Sequence, residues 1–319
     1  MDIRTLFLSL CLIVLTSTAV VALNGFDLDG ALIPVGKIKG GGPPRDGIPA
    51  IDRPKFVDVA EARKMYSLTS RAMVVRHGKE VRVYPVPVLD WHEIVNDQIG
   101  GKPIAVTYCP LCGSGIVFES TVKKKPMTFG VSGLLYQSDM LLYDRETESL
   151  WSQLLMKAVT GKHRGTELVV CPSTNEPLGD VLKRYPKARV LSTNTGYARD
   201  YGQYPYGDYR ESRRLIFRVD HSDPRVHPKS WSLLVRGEKD AVIAPVEFLD
   251  LKKNKLTVEV SGKKLVVVYD VEARRLLCEK DVKGMDCITG FYFALRTFYP
   301  DARLIKNAGV DQKKPARDS

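Results

Sequence analysis

A succession of short β-branched or aromatic runs, each closed by Gly, Pro or Asp, most limits what this chain can become. They fall at 72–75, 80–84, 104–108, 116–119, 127–131, 140–143, 168–170, 215–219, 256–260 and 265–269. Runs of this length between turn formers read as strands. Helical signals are few, at 59–66, 87–93, 177–185 and 291–298. The mixture predicts an α+β fold that is predominantly antiparallel β, with few short helices.

The chain also echoes itself. VVRHGKEVRVYPVPVLD (74–90) returns as LLVRGEKDAVIAPVEFLD (233–250), GGKPIAVTYCP (100–110) as SGKKLVVVYDV (261–271), and KRYPKARVL (183–191) as RTFYPDARLI (296–305). Self-similarity of this kind predicts two internally related units, the second lacking a block that follows the first pair of cysteines. At the matching place the second copy has Asp270 and Val271 where the first has Cys109 and Pro110. The chemistry is therefore expected in the first unit, with the second as scaffold or lid.

Arg4, an apolar run over 6–15 and the small residues that follow, with Val20 and Ala22 at the minus-three and minus-one places, have the layout of a signal peptide over residues 1–22. An uncleaved N-terminal anchor is the alternative, since residues 6–23 could just cross about 30 Å of hydrocarbon. Either way the folded part is expected outside the cytoplasm, periplasmic or extracellular. The Gly/Pro-rich stretch 23–47 reads as a flexible tether, 48–210 as the first unit and 211–319 as the second, degenerate one. The formal net charge of +11 suits contact with an anionic membrane or envelope surface rather than nucleic acid, and lysines spread over loop-like places equally suit a solvated surface.

The chemistry-bearing stretch is VTYCPLCGSGIVF, residues 106–118. In thioredoxin-like proteins such a pair opens a helix whose dipole activates the first thiol. Here Gly113-Ser114-Gly115 leads into β-branched and aromatic residues, so Cys109 and Cys112 are expected between two strands, as in a metal-binding knuckle. A closed tetrahedral site wants four ligands. His92, beside Glu93 in LDWHEIVND, is the candidate nitrogen donor, and Cys171 a third thiolate or a buried core thiol. Cys278 and Cys287 flank a polar turn and can meet as a disulfide. Soft thiolates favour zinc or copper(I) as the metal. Two other readings stay open: a thiol-disulfide oxidoreductase using Cys109 and Cys112, and a non-catalytic envelope binding module.

The stretches RVYPVPVLDWHEIVND, VTYCPLCGSGIVF, TFGVSGLLYQSDMLLYDRETESLWSQ and STNTGYARDYGQYPYGDY together resemble an uncharacterised exported family of bacteria and archaea, domain of unknown function 3179 (DUF3179). The resemblance runs strongly over 48–209 and more loosely through GFYFALRTFYPDARL. It brings no reaction with it. It does place His92, Glu93, Cys109 and Cys112 inside the family's most recognisable blocks, and leaves Cys278 and Cys287 outside them.

Among residues able to line the same pocket, Ser132 lies in Gly130-Val131-Ser132-Gly133, which lacks the spacing of a hydrolase elbow and reads as a tight turn. Tyr136 and Trp151 are pocket walls or core. Glu93 would orient the histidine or act on a bound water. Tyr197, Tyr201, Tyr204, Tyr206 and Tyr209 crowd one loop, a pattern that packs a long loop onto a sheet or presents aromatic faces to a ligand.

Overall fold

A computed structural model describes residues 22–250, 253–270, 272, 275–306 and 309–311. Residues 1–21, and with them nearly all of the signal or anchor stretch, lie outside the described residues. Five sheets of three to five strands make up most of the regular structure, an arrangement that resembles a five-bladed β-propeller. Among the described residues the α-helices are four single pieces of seven residues, Val59–Met65, Val86–His92, Leu178–Arg184 and Tyr292–Phe298. Such short helices cap sheet edges and form no layer of their own, so the α+β expectation gives way to a mostly antiparallel β architecture. The expected strand at 215–219 is absent, because that segment belongs to a long irregular loop.

Helix starts follow local chemistry. Asp58 caps the first, its carboxylate accepting from the Glu61 amide at 2.8 Å. The other three begin directly after a strand, two of them at a proline whose fixed φ suits the entry.

One sheet orders its strands Ser173–Pro177, Arg71–His77, Glu80–Pro85, Arg189–Leu191 and Phe56–Val57. Another orders Asp286–Phe291, Trp231–Arg236, Ala241–Pro245, Arg303–Lys306 and Gly309–Asp311. In both, the fourth strand runs parallel to the third while every other pair is antiparallel. Two further sheets are built on meanders: Ile94–Ile99, Lys102–Cys109 and Ser114–Glu119 in one, Lys255–Val260, Lys263–Asp270 and Arg275–Cys278 in the other. The fifth sheet carries Phe129–Tyr136 and Asp139–Asp144 at its centre.

The stretch 23–47 is not a free tether. Ile38–Gly40 pairs with Leu134–Tyr136 as an edge strand, and Phe26, Leu28 and Ile33 are buried in a core with Leu141 and Tyr143. Burying three such side chains stabilises by about 2 kcal/mol each, enough to offset the cost of ordering a Gly/Pro-rich segment in part. Gly41 donates to the Gly133 carbonyl at 2.7 Å, which sets the segment against the central hairpin of the fifth sheet.

The largest core is continuous between the two halves of the chain. It joins Cys109, Leu111, Cys112, Phe129 and Trp151 to Trp231, Leu233, Phe291 and Leu295. Residues from the second half therefore pack directly onto the cysteine turn.

Candidate metal centre

Strands Lys102–Cys109 and Ser114–Glu119 pair with Cys109 opposite Ser114, so residues 110–113 form the turn. The Cys112 amide returns to the Cys109 carbonyl at 3.2 Å. Gly113 has φ +58°, and a Cβ there would stand 3.0 Å from the Phe291 ring, so both conformation and space ask for glycine. From the second half, the Phe291 amide donates to the Cys112 carbonyl at 2.7 Å. Behind the turn, Ser114 Oγ donates to Gln153 Oε1 at 2.7 Å, and Gln153 Nε2 donates to Thr107 Oγ1 at 2.9 Å. This buried polar chain fixes the base of the hairpin, because each unmet polar group there would cost about 1–3 kcal/mol.

The tyrosine-rich loop closes the other side. Tyr209 Oη donates to the Leu111 carbonyl at 3.1 Å and Tyr204 Oη to the Pro110 carbonyl at 3.4 Å. The result is a turn with no open face: Cys109 is 1% exposed and Cys112 0%.

A third donor comes from a neighbouring sheet. Tyr136 pairs with Asp139 across a two-residue turn in which Gln137 and Ser138 both have positive φ. That is the hairpin geometry usually filled by Asn-Gly. Gln137 holds it without glycine, its side chain bonding Asp220 through both amide atoms, with Asp220 N to Oε1 at 2.8 Å. The turn delivers the Ser138 carbonyl to 3.3 Å from Cys112 Sγ and 3.9 Å from Cys109 Sγ. Next to it, Asp139 Oδ2 accepts from the Leu154 amide at 3.0 Å, while the fully buried Oδ1 has no hydrogen-bond partner among the described residues. Ligand atoms of Cys109, Cys112 and Asp139 all lie within 4.8 Å of one another.

Electrostatics matches this geometry. Burial pushes both thiols up and raises Asp139 to about 7 in spite of the amides pointing at it. Glu93 rises to about 8, first through burial and then through the nearby charges of Asp139 and Asp90. Asp90 has its own cation, with Arg210 Nη2 at 2.6 Å and 2.8 Å from its two oxygens. Around Asp139, Glu93 and the thiols the groups are all potential anions, and what such a space lacks is positive charge.

Of the residues singled out in the sequence, Cys109 and Cys112 come together, and His92 and Cys171 do not join them. His92 is buried, but Nδ1 is 2.7 Å from the Pro49 carbonyl and Nε2 2.7 Å from Tyr201 Oη, so neither ring nitrogen is left for a metal. Consecutive residues of a helix point about 100° apart, and at its end His92 turns to the tyrosine loop while Glu93, at φ +57°, sits near Cys109 and Asp139. Cys171 pairs with Val117 and packs with it against a different core from the one holding the pair. Successive strand residues face opposite sides, and Ile116 and Phe118 take the side of the cysteine turn.

Ser132 is in the middle of a strand and not in a turn. It spans a bulge between Val131 and Leu134, bonding the Leu141 carbonyl and accepting from the Leu134 amide at 3.0 Å. Trp151 is core, its Nε1 donating to Asp144 Oδ2 at 2.9 Å, and Tyr136 packs edge-on against Phe298. Cys278 and Cys287 form a disulfide. Asp139 is the member of the cluster that sequence reasoning missed, although a lone acid ahead of the apolar run Met140-Leu141-Leu142 was a readable signal.

The model for "Protein of unknown function (DUF3179)" matches residues 45–306, most of the chain. The chain belongs to that family. The match spans the cysteine turn, Asp139, the tyrosine loop and the second half up to Lys306, so both halves belong to the family pattern. No curated protein and no solved structure matches the chain.

Proposed function

We propose that this member of the family is an exported metal-binding protein in which Cys109, Cys112 and Asp139 hold one ion. The observation that carries the reading is the buried convergence of two thiols and a carboxylate whose Oδ1 has no partner. A divalent cation satisfies that oxygen and supplies the missing charge. Two thiolates with a carboxylate favour zinc, since copper(I) prefers an all-soft set. Three protein ligands and an open fourth position is the pattern of zinc sites that bind or activate a small molecule. Glu93 stands near enough to act on whatever takes that position.

The burial of both thiols, their raised pKa values and the strand on either side favour this reading over thiol-disulfide exchange, which needs an accessible, activated thiolate. Support for export comes from the layout of residues 1–22 and from the Cys278–Cys287 disulfide, which suits an oxidising compartment. We also infer that the two halves descend from one unit, a reading supported by the shared order and sense of the first four strands in the sheets that begin with Ser173–Pro177 and Asp286–Phe291.

Elemental analysis of anaerobically purified protein tests the metal reading. One zinc per chain is expected, lost in the Cys109→Ser/Cys112→Ser double variant and reduced in Asp139→Asn. Wild-type protein without stoichiometric zinc, copper or iron would sink it.

A further inference from the structure

Beside the cysteine turn lies a cavity that none of the three proposed metal donors lines. It has a volume of about 110 Å³ and runs between Leu111, Leu135, Met140 and Tyr206, with the exposed Ile216 at its rim. An apolar cavity of roughly 150 Å³ holds a benzene-sized molecule, so this one suits something a little smaller. Among the described residues that line it, Glu93 is the one carboxylic acid and none is a Lys, Arg or His.

Glu93 is 7% exposed, and among the described residues its carboxylate has neither a hydrogen-bond donor nor a cation. The charged groups acting on it are Asp139 and Asp90, both acids. A buried carboxylate without a partner costs several kcal/mol, so a site that keeps one is a site that something else completes. Glu93 does not complete the metal cluster as it stands, because the mutually close ligand atoms are those of Cys109, Cys112 and Asp139. Its backbone is also held in the left-handed region at φ +57°, fixed by its amide bonding the Leu89 carbonyl at 2.8 Å and its carbonyl accepting from Tyr108 at 2.7 Å. A strained backbone that aims an unpartnered acid into an apolar cavity is the arrangement of a ligand site.

A larger cleft, about 1090 Å³, offers among the described residues no unpaired cation from its arginines and lysine and no buried unpaired acid of this kind. Of its cations, Arg71 bonds Asn175, Arg210 bonds Asp90, and Lys229 bonds the carbonyls of Ser212 and Arg214.

We propose that the Glu93 cavity binds a short primary alkylammonium, its cationic head on the Glu93 carboxylate and its chain along Leu135 and Met140. The cavity volume sets the chain at about three to five carbons. Tyr206 adds an aromatic face near the head group. This assignment does not depend on the metal reading, since it uses none of the three metal donors.

Calorimetric titration of the whole protein with n-butylammonium and with 1-butanol tests it, run on metal-loaded and on chelator-treated samples. The amine is expected to bind about tenfold or more tighter than the alcohol, the value of one charge-assisted hydrogen bond. Glu93→Gln should bring the amine down to the alcohol's affinity and leave the alcohol unchanged. Ile216→Trp, at the exposed rim, should weaken both without disturbing the fold. Equal affinities in the wild type, an amine affinity indifferent to Glu93→Gln, or no binding of either probe overturns the proposal. Failure of zinc analysis with amine binding intact would overturn the metal reading alone.

Discussion

Two hairpins in this molecule have nearly the same backbone and opposite fates. In the first, Ile94–Ile99 and Lys102–Cys109 meet at Gly100-Gly101, and Cys109 then pairs with Ser114 across residues 110–113. In the second, Lys255–Val260 and Lys263–Asp270 meet at Ser261-Gly262, and Asp270 pairs with Arg275 across residues 271–274. Turn lengths and registers agree. What differs is burial. Every residue from Ile104 to Cys109 is buried, whereas in Lys263–Asp270 buried and half-exposed positions alternate. The first hairpin has a second sheet, a tyrosine loop and Phe291 closing over its turn. That enclosure keeps water from both thiols, whereas the strand that follows the second hairpin is fixed by the covalent bond of Cys278.

The comparison can be broken most sharply by removing the two kinds of clamp. Stripping the metal should lower unfolding free energy by about 4 kcal/mol relative to protein with free zinc at roughly a thousand times Kd. Thermal or denaturant unfolding with and without chelator checks this, and Asp270→Asn should leave the chelator effect unchanged. Breaking the disulfide with Cys278→Ser should cost about 2–4 kcal/mol while leaving zinc content intact. If the disulfide variant also loses zinc, the two clamps are not independent.

Smaller effects follow from single residues of the two hairpins. Gly113→Ala must force a positive φ and displace the Phe291 ring, so a loss of about 3 kcal/mol is expected in urea unfolding. Gly262→Ala has positive φ but open space around it, and should cost only about 1 kcal/mol. His92→Ala removes the bonds to Pro49 and Tyr201, for about 1–3 kcal/mol, with one zinc still bound. Loss of zinc in that variant would return His92 to the ligand set.

The buried acids beside the first hairpin's turn add a pH dependence of their own. In metal-free protein, Asp139 at about 7 and Glu93 at about 8 both lie above their unfolded values near 4. Between about pH 4 and pH 8 the folded state then binds more protons than the unfolded one, so stability falls as pH rises through that window. Metal-free protein should therefore unfold more easily at pH 8 than at pH 5.5. Added zinc should reverse the trend, because the ligands of the proposed site must be deprotonated to bind it. Chemical denaturation at the two pH values, with and without zinc, reads both slopes.

Much of this molecule was written locally. All four helices begin and end close to where proline, capping and periodicity place them, and the strand–turn–strand context of Cys109 and Cys112 follows from Gly113 and Gly115 alone. Alternation and turn residues are short-range signals, and the backbone obeys them. The partner of the cysteine pair was not local. Asp139 stands in another sheet, brought in by a two-residue turn that only Gln137 and Asp220 together hold open. His92, the nearer candidate by sequence, is turned away by a hydrogen bond to Tyr201, in a loop more than a hundred residues further on. Even the Gly/Pro-rich stretch 23–47 owes its order to strands supplied by residues 129–144. Short-range signals around Cys109 and Cys112 were enough to set two thiols between strands. Which third group meets them was decided by tertiary packing, because a buried ligand set is a property of surfaces that meet only after the sheets have formed.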